Sequence, residues 1–460
     1  MSEHHPGEAP SHPSQPGPAH MGNNGMGDSP GPAIGKLRIS SQLDSEHPLT
    51  AHVPVTRFYT ALVTGDLRSL EVLTDRYHQD VNLVFEISKN ELEWQVKSQA
   101  SYGLSGLWAL ERCWEQSTPL CLAAHHGHPA ALRHLLRHRA HPDLAPGAQG
   151  PLHEACRGAH TDCVELLLEY RADPNLRSEE GLAPLHLCTT WDSLGCAMLL
   201  LRHGAAVGLP STACGETALH VAARHGLSDH ARLYLRRGAR VDARSARGKT
   251  ALGVLCATAP GAGQDHLELC RLLVAHGAQV DARDEAQRSP LHEVCGAAHA
   301  SLARFLLLRG ADVNAIDYDG LSPLGLALQS TASRARRRPH LTVQLLLNHG
   351  SQRIWPPAFV KVLRSCAAVP EVIEVLFNSY SQIPVSQEWA EAVPEEVFQQ
   401  HRPFYKSLFQ LVGAVRCLQH LCCSAIRENL GSRCHSLIPL LPVPQALREY
   451  LLLEPEGVVL

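Results

Sequence analysis

The sequence predicts an all-α solenoid of helix-turn-helix units with hairpin fingers, followed by a C-terminal helical module. Three observations carry that prediction: a recurring seven-residue block, a helical apolar stripe after each copy, and a change of pattern in the last fifty residues. The block reads Thr-Pro-Leu-Cys-Leu-Ala-Ala at 118–124, Gly-Pro-Leu-His-Glu-Ala-Cys at 150–156 and Ala-Pro-Leu-His-Leu-Cys at 183–188. It returns as Thr-Ala-Leu-His-Val-Ala-Ala (217–223), Thr-Ala-Leu-Gly-Val-Leu-Cys (250–256), Ser-Pro-Leu-His-Glu-Val-Cys (289–295) and Ser-Pro-Leu-Gly-Leu-Ala-Leu (322–328). Its anchoring leucines, Leu120, Leu152, Leu185, Leu219, Leu252, Leu291 and Leu324, are 32, 33, 34, 33, 39 and 33 residues apart.

Each unit decodes locally. Thr or Ser ahead of Pro caps a first helix, and Pro is tolerated in its first turn because that N–H has no intrahelical partner. Leu and Ala then face inward, and a run such as Val164 to Leu168 supplies the second helix. Glycine ends it in the left-handed region, as at Gly204, Gly238, Gly277 and Gly310. No single unit can bury its apolar face, so stability must come from stacking neighbours. The period and the Thr-Pro-Leu-His block identify the units as resembling ankyrin repeats. That resemblance implies a curved stack, with finger tips and first helices lining one concave surface.

Taken in order, residues 1–50 are rich in Pro, Gly, Ser and His and are expected to be disordered. Residues 55–116 read as a degenerate first repeat from Phe58 and a connector holding Trp94, Trp108 and Trp114. The regular array of seven repeats spans 117–351. Repeat five carries an insertion around Thr258 to Gln264, and repeat seven one from Ser330 to His340 with Arg334 and Arg336 to Arg338. After Gly350 the period stops, and 352–404 is expected to be a connector of short helices before a module at 405–460.

That module holds two short apolar patterns joined by Gly431-Ser432. In the first, Leu418, Leu421, Cys422, Ala425 and Ile426 fall at helical spacing on one stripe. In the second, Leu441-Pro442-Val443-Pro444 is an extended stretch, since neither proline continues a helix, and leads into Leu447, Tyr450 and Leu451. The order of residues resembles the SOCS box. The resemblance implies that Leu418, Cys422 and Ile426 dock onto elongin C, with Cys417 standing where a Ser, Thr, Ala or Pro is usual. It further implies that Leu441, Pro442, Val443 and Pro444 select cullin-5. Together the halves resemble the ankyrin repeat and SOCS box family. Membership implies a non-catalytic substrate-recognition subunit that recruits elongin B, elongin C and cullin-5 with its RING-box protein to ubiquitinate a bound protein substrate. A second reading is an ankyrin scaffold without a ligase link, its terminal helices merely capping the stack. Co-purification of elongins B and C discriminates between the two.

Composition agrees. A formal net charge of −4 argues against nucleic-acid or membrane-surface partners. The chain shows no signal segment and no run of eighteen apolar residues, which points to the cytoplasm with nuclear access. Fifteen cysteines, mostly within helix patterns, read as buried free thiols. His153-Glu154-Ala155-Cys156 and His292-Glu293-Val294-Cys295 superficially suggest metal ligands, but these histidines occupy a fixed slot of the repeat grammar, and C-x-x-C or H-E-x-x-H spacing is absent. No catalytic, metal or cofactor site is expected. For the substrate face, large or charged residues at exposed block positions stand out: Trp191 and Asp192 in repeat three, Glu216 in repeat four, Lys249 in repeat five and Arg288 in repeat six. Trp191 is expected at the end of a first helix, where an aromatic buries much area on binding.

Overall fold

Packing of successive helix pairs organises the chain. The computed structural model describes residues 37–39, 52–76, 78–90, 112–147, 149–258, 264–385, 388–411 and 414–459. The first pair is His52–Thr64 with Leu67–Glu71, the latter running into a π turn, Val72–Arg76. The regular pairs begin at Pro119–His125 with Pro129–Arg137 and end at Pro323–Ser330 with Pro339–Asn348. Each first helix packs on the next first helix, and each second helix on the next second helix. One continuous core results, from Phe58 through Leu120, Leu152, Leu219, Leu291 and Leu324 to Phe377. The fold is mostly helical.

The block's chemistry is visible at each turn. Thr118 accepts the Cys121 N–H at 3.1 Å, and Ser322 accepts the Gly325 N–H at 3.2 Å. Where the block contains histidine, the imidazole does more than cap. Nδ1 of His220 accepts the Thr217 N–H at 3.1 Å, so its Nε2 carries the proton and donates it to the Lys249 carbonyl of the next repeat at 3.0 Å. His153, His186 and His292 repeat the arrangement onto Leu182, Glu216 and Leu321. The tips are joined too: Ala246 N–H donates to Cys214 at 2.8 Å and Glu285 N–H to Arg247 at 3.1 Å. Gly204 lies at φ +92° with no atom within 4 Å of where a Cβ would sit, so backbone conformation rather than space selects glycine there.

Three features depart from the sequence expectations. Leu37–Ile39, Phe85–Asn90 and Arg112–Ser117 form a three-stranded antiparallel sheet in chain order, in segments expected to be a disordered tail and a connector. Phe85-Glu86-Ile87-Ser88 alternates apolar and polar at period two, the strand signal hidden within a helical context. Phe85 is fully buried against Phe58 and Tyr59, with ring centroids 6.2 and 5.7 Å away. Trp94, Trp108, the rest of the expected tail at 1–50 and most of the repeat-five insertion lie outside the described residues.

Repeat three also differs. Its first helix shrinks to the 3-10 turn Pro184–Leu187, and the β-branched pair Thr189-Thr190, found in no other copy of the block, follows it. Thr190 caps a second 3-10 turn, Trp191–Ser193. Trp191 therefore stands at the entry to the second helix rather than at the end of the first. Finally, stacking does not stop at Gly350. Phe359–Cys366 packs on the preceding first helix and Pro370–Phe377 on the preceding second helix, so one more pair extends the array before the shorter helices Glu388–Glu391, Glu395–Gln400 and Arg402–Gln410.

Candidate partner-docking surfaces

The terminal module is built on the helix Leu418–Leu430, the turns Gly431–Arg433 and Ile438–Leu440, and the helix Gln445–Leu451. Cys423, Cys434, Ile438, Tyr450 and Leu451 form its core, and Ile426, Leu430, Leu441, Val443 and Leu447 pack around it. Leu441 has extended backbone angles (φ −67°, ψ 137°) and Pro444 precedes the last helix, but the Val443 N–H donates back to the Leu441 carbonyl at 2.9 Å, so the expected extended stretch turns tightly at Pro442.

The two faces of the Leu418–Leu430 helix invert the usual expectation of apolar inside and polar outside. Leu418 is 76 % exposed, and Cys422 and Ala425, four and seven residues on, are exposed beside it. Beside Cys423 of the core, the inward face carries the polar His420, Ser424 and Arg427. His420 Nε2 donates to the Tyr380 carbonyl at 2.8 Å, so its Nδ1 accepts from the Tyr450 hydroxyl at 2.8 Å and from Arg416 Nη2 at 3.0 Å. Burial pushes the His420 pKa below its ordinary value. Arg416 also donates to Asn378 at 2.8 Å and lies 4.9 Å from the Phe377 ring centre. Arg427 donates to Asn348 at 2.7 Å and to the Leu451 carbonyl. Arg416, His420 and Arg427, none singled out by sequence pattern, fasten the module to the end of the array. The polar stripe His420, Ser424 and Arg427, at i, i+4 and i+7, was the signal available.

Of the three residues expected to face elongin C, Leu418 and Cys422 lie together on the exposed side. Ile426 is half-buried and leans on the module's own core. Within 441–444, Pro442 and Pro444 are exposed, while Leu441 and Val443 are half-buried against that core. The adjacent Leu440, 77 % exposed, was not singled out by sequence.

The expected substrate-face residues divide sharply. Trp191 is 70 % exposed with Asp192 exposed beside it. Trp191 borders a small recess shared with Gly226, Asp229, Asp265 and Glu268. Glu216 is instead ion-paired with Arg224. Lys249 reaches Glu293 at 2.6 Å, and Arg288 donates to Asp317 and Asp319, each at 3.2 Å. Asp317 is held below the ordinary carboxylate range: burial pushes it up, but the Leu321 N–H and the Arg288 guanidinium outweigh that. The three charged residues therefore bind the array's own residues together.

Neither histidine–cysteine pair forms a metal centre. Both ring nitrogens of His153 and His292 are engaged in the inter-repeat bonds above, and Cys156 and Cys295 are fully buried thiols whose pKa burial raises. Among the described residues, the cysteines are free, and only Cys214, Cys417 and Cys422 are exposed.

An ankyrin stack bearing a C-terminal helical box that presents an apolar stripe defines the class of an ankyrin-repeat protein with a SOCS box. The family model for ankyrin repeats (three copies) matches overlapping windows over 88–354, and the SOCS box model matches 414–452. Human ankyrin repeat and SOCS box protein 18 is 58 % identical over 408 residues, covering 88 % of each chain. Human ankyrin repeat and SOCS box protein 16 is 38 % identical over 403 residues (87 % of this chain, 86 % of that one), and human ankyrin repeat and SOCS box protein 10 is 39 % identical over 419 residues (89 % of each). The chain belongs to the ankyrin repeat and SOCS box family. The crystal structure of the human ASB11 ankyrin repeat domain is similar at 26 % identity, with a TM-score of 0.43 over 48 % of this chain and 98 % of that one. Among the described residues no helix is long and apolar enough to cross a membrane.

Proposed function

We propose that this protein is the substrate-recognition subunit of an elongin BC–cullin-5 ubiquitin ligase. The observation that supports it best is the exposed Leu418–Cys422 edge on a box whose own core is already complete. An apolar stripe left in water by a folded helix is what a helix-in-groove partner requires. Elongin C takes Leu418 and Cys422 directly, and Ile426 sets the helix against the box core. Cullin-5 reads the Pro442 and Pro444 edge, with Leu441 and Val443 anchoring that turn to the box core. The RING-box protein brings the conjugating enzyme, and the array holds the substrate protein.

The chain supplies no reacting group in this reading. Its contribution is proximity: tethering raises a substrate lysine's effective concentration at the thioester into roughly the millimolar range. Trp191 and Asp192 serve as the substrate-contact pair, because both stand outside the ion-pair network that occupies Glu216, Lys249 and Arg288. Cytoplasmic and nuclear locations both fit the reading.

The test is co-purification of elongins B and C with the full chain and with Leu418→Ala. Losing a side chain that becomes buried costs roughly 2–5 kcal/mol, well over tenfold in affinity. Equal recovery from both chains would overturn the elongin assignment and return the protein to the scaffold class. Pro442→Ala with Pro444→Ala is expected to lose cullin-5 while keeping the elongins.

A further inference from the structure

A cluster of potential metal ligands lies at the opposite end of the array from the SOCS box. The helix Pro129–Arg137 of the first regular repeat carries His134, and His138 follows one turn later, with the two ring centroids 4.2 Å apart. Residues four apart on a helix share a face, which is the spacing that lets two imidazoles reach one ion. Facing them is the π turn Val72–Arg76 of the degenerate first unit. A π turn inserts an extra residue and re-aims the side chains it carries, and such turns concentrate at functional positions. This one turns Thr74 and Asp75 towards the histidines. One ligand atom from each of Asp75, His134 and His138 lies within 4.8 Å of the other two.

The hydrogen bonds around the cluster prepare both rings. His138 Nδ1 donates to the His134 carbonyl at 2.9 Å, and its Nε2 lies 2.7 Å from Asp75 Oδ1. A ring nitrogen and a carboxylate oxygen this close share either a proton or a cation that takes its place. His134 Nε2 donates to the Thr74 hydroxyl at 2.7 Å, and that hydroxyl passes its own proton to the Leu70 carbonyl at 3.0 Å. Outer partners of this kind fix the orientation and tautomer of metal-binding imidazoles.

We propose that Asp75, His134 and His138 bind a divalent transition-metal ion, zinc by preference, which clips the first helical unit to the regular stack. Two imidazoles and a carboxylate suit zinc, with solvent completing the coordination. Seating the ion moves Asp75 and His138 apart to roughly 3.3 Å, the spacing of two ligands on a tetrahedral ion with bonds of about 2.0 Å. Both side chains are exposed enough to make that adjustment and to admit the ion. The clip does not depend on the ligase reading.

The test titrates the metal-stripped full chain with Zn²⁺ and Co²⁺, alongside Asp75→Asn and His138→Gln. The wild type is expected to take up one Zn²⁺ that both variants bind at least about a hundredfold more weakly, the loss of a ligand costing more than that of an outer partner. Thr74→Val is expected to weaken binding by about 10–100-fold. Bound Co²⁺ should give d–d bands without a thiolate charge-transfer band, separating this site from the cysteines. Zinc should raise the melting temperature of the wild type and not of the ligand variants. Uptake unchanged in the variants, no stoichiometric uptake by the wild type, or binding without a rise in melting temperature would each overturn the proposal. The contact would then be a hydrogen bond between His138 and Asp75.

Discussion

Arg427 of the SOCS box donates from Nη1 to the side-chain oxygen of Asn348, 2.7 Å away at the end of an array helix. Asn348 returns a hydrogen bond from Nδ2 to the Leu452 carbonyl at 2.9 Å, so one asparagine grips the box at two points. Arg427 is buried, and the Asn348 and Leu451 oxygens that accept from it are both neutral. Burial accordingly pushes its pKa below the ordinary arginine value. Asn348→Leu should cost about 1–3 kcal/mol, because the buried Arg427 loses an acceptor and the Leu452 carbonyl loses a donor. Adding Arg427→Met should recover part of the loss, since removing both partners of a buried polar pair costs less than removing one. Chemical denaturation of the single and double variants measures the difference. Additive losses would mean the contact is energetically idle.

Acid should loosen the array through its histidine column. Burial lowers the pKa of His153, His186, His220 and His292 from the ordinary 6.5. A base with a depressed folded-state pKa stabilises the fold above its unfolded value and loses that contribution as pH falls below it. Melting temperature should therefore fall from about pH 6.5 downward. His220→Ala should flatten the slope and destabilise at neutral pH by about 1–3 kcal/mol, since the Thr217 N–H and Lys249 carbonyl lose their partner.

Glu374 should produce the opposite trend. Its carboxylate accepts the Glu456 and Gly457 N–H groups at 2.6 and 3.0 Å, and burial pushes its pKa up to about 7. A folded pKa raised above the unfolded value gives stability that is complete below about 4.5 and is lost as pH rises through about 7. Glu374→Gln should remove this dependence. Hydrogen exchange at Glu456 and Gly457, compared at pH 5.5 and 8, reads it locally.

Substitutions on the proposed substrate face should separate by stability. Trp191→Ala should leave stability within about 0.5 kcal/mol, as befits an exposed side chain, while reducing substrate capture. Arg288→Ala should cost about 1–3 kcal/mol, because the buried Asp317 carboxylate loses its cation. A fall in thermal stability for Trp191→Ala would move it into the core and relocate the recognition face.

Leu418→Ala should likewise leave the isolated chain's melting temperature nearly unchanged while weakening elongin capture. Ile438→Ala, in the fully buried centre of the box, should cost roughly 2–5 kcal/mol and lose elongin capture through unfolding. Thermal melts run beside the pull-downs distinguish a lost contact from a lost fold.

The sequence by itself determined the repeat: block, period, glycine turns and histidine slots recur locally, and a solenoid is held by nearest neighbours, so local grammar dictates most of it. It also determined that no helix runs through Leu441 to Pro444, because proline fixes its own backbone and breaks the helical ladder, while the tight turn from the Leu441 carbonyl to the Val443 N–H was not legible. Tertiary structure decided what periodicity cannot encode. Phe85 to Asn90 became a strand only by pairing with residues 37–39 and 112–117, and repeat three's first helix stopped short, the Thr190 N–H donating instead to the Ser193 hydroxyl at 3.3 Å. The fate of each apolar stripe was settled the same way. Leu418 and Cys422 carry the pattern of a buried face, yet His420, Ser424 and Arg427 point inward, because Tyr380, Tyr450 and Asn348 arrive from 30 to 79 residues away to pair with the helix or pack beneath it. Which face of a helix is buried depends on what the rest of the chain brings to it.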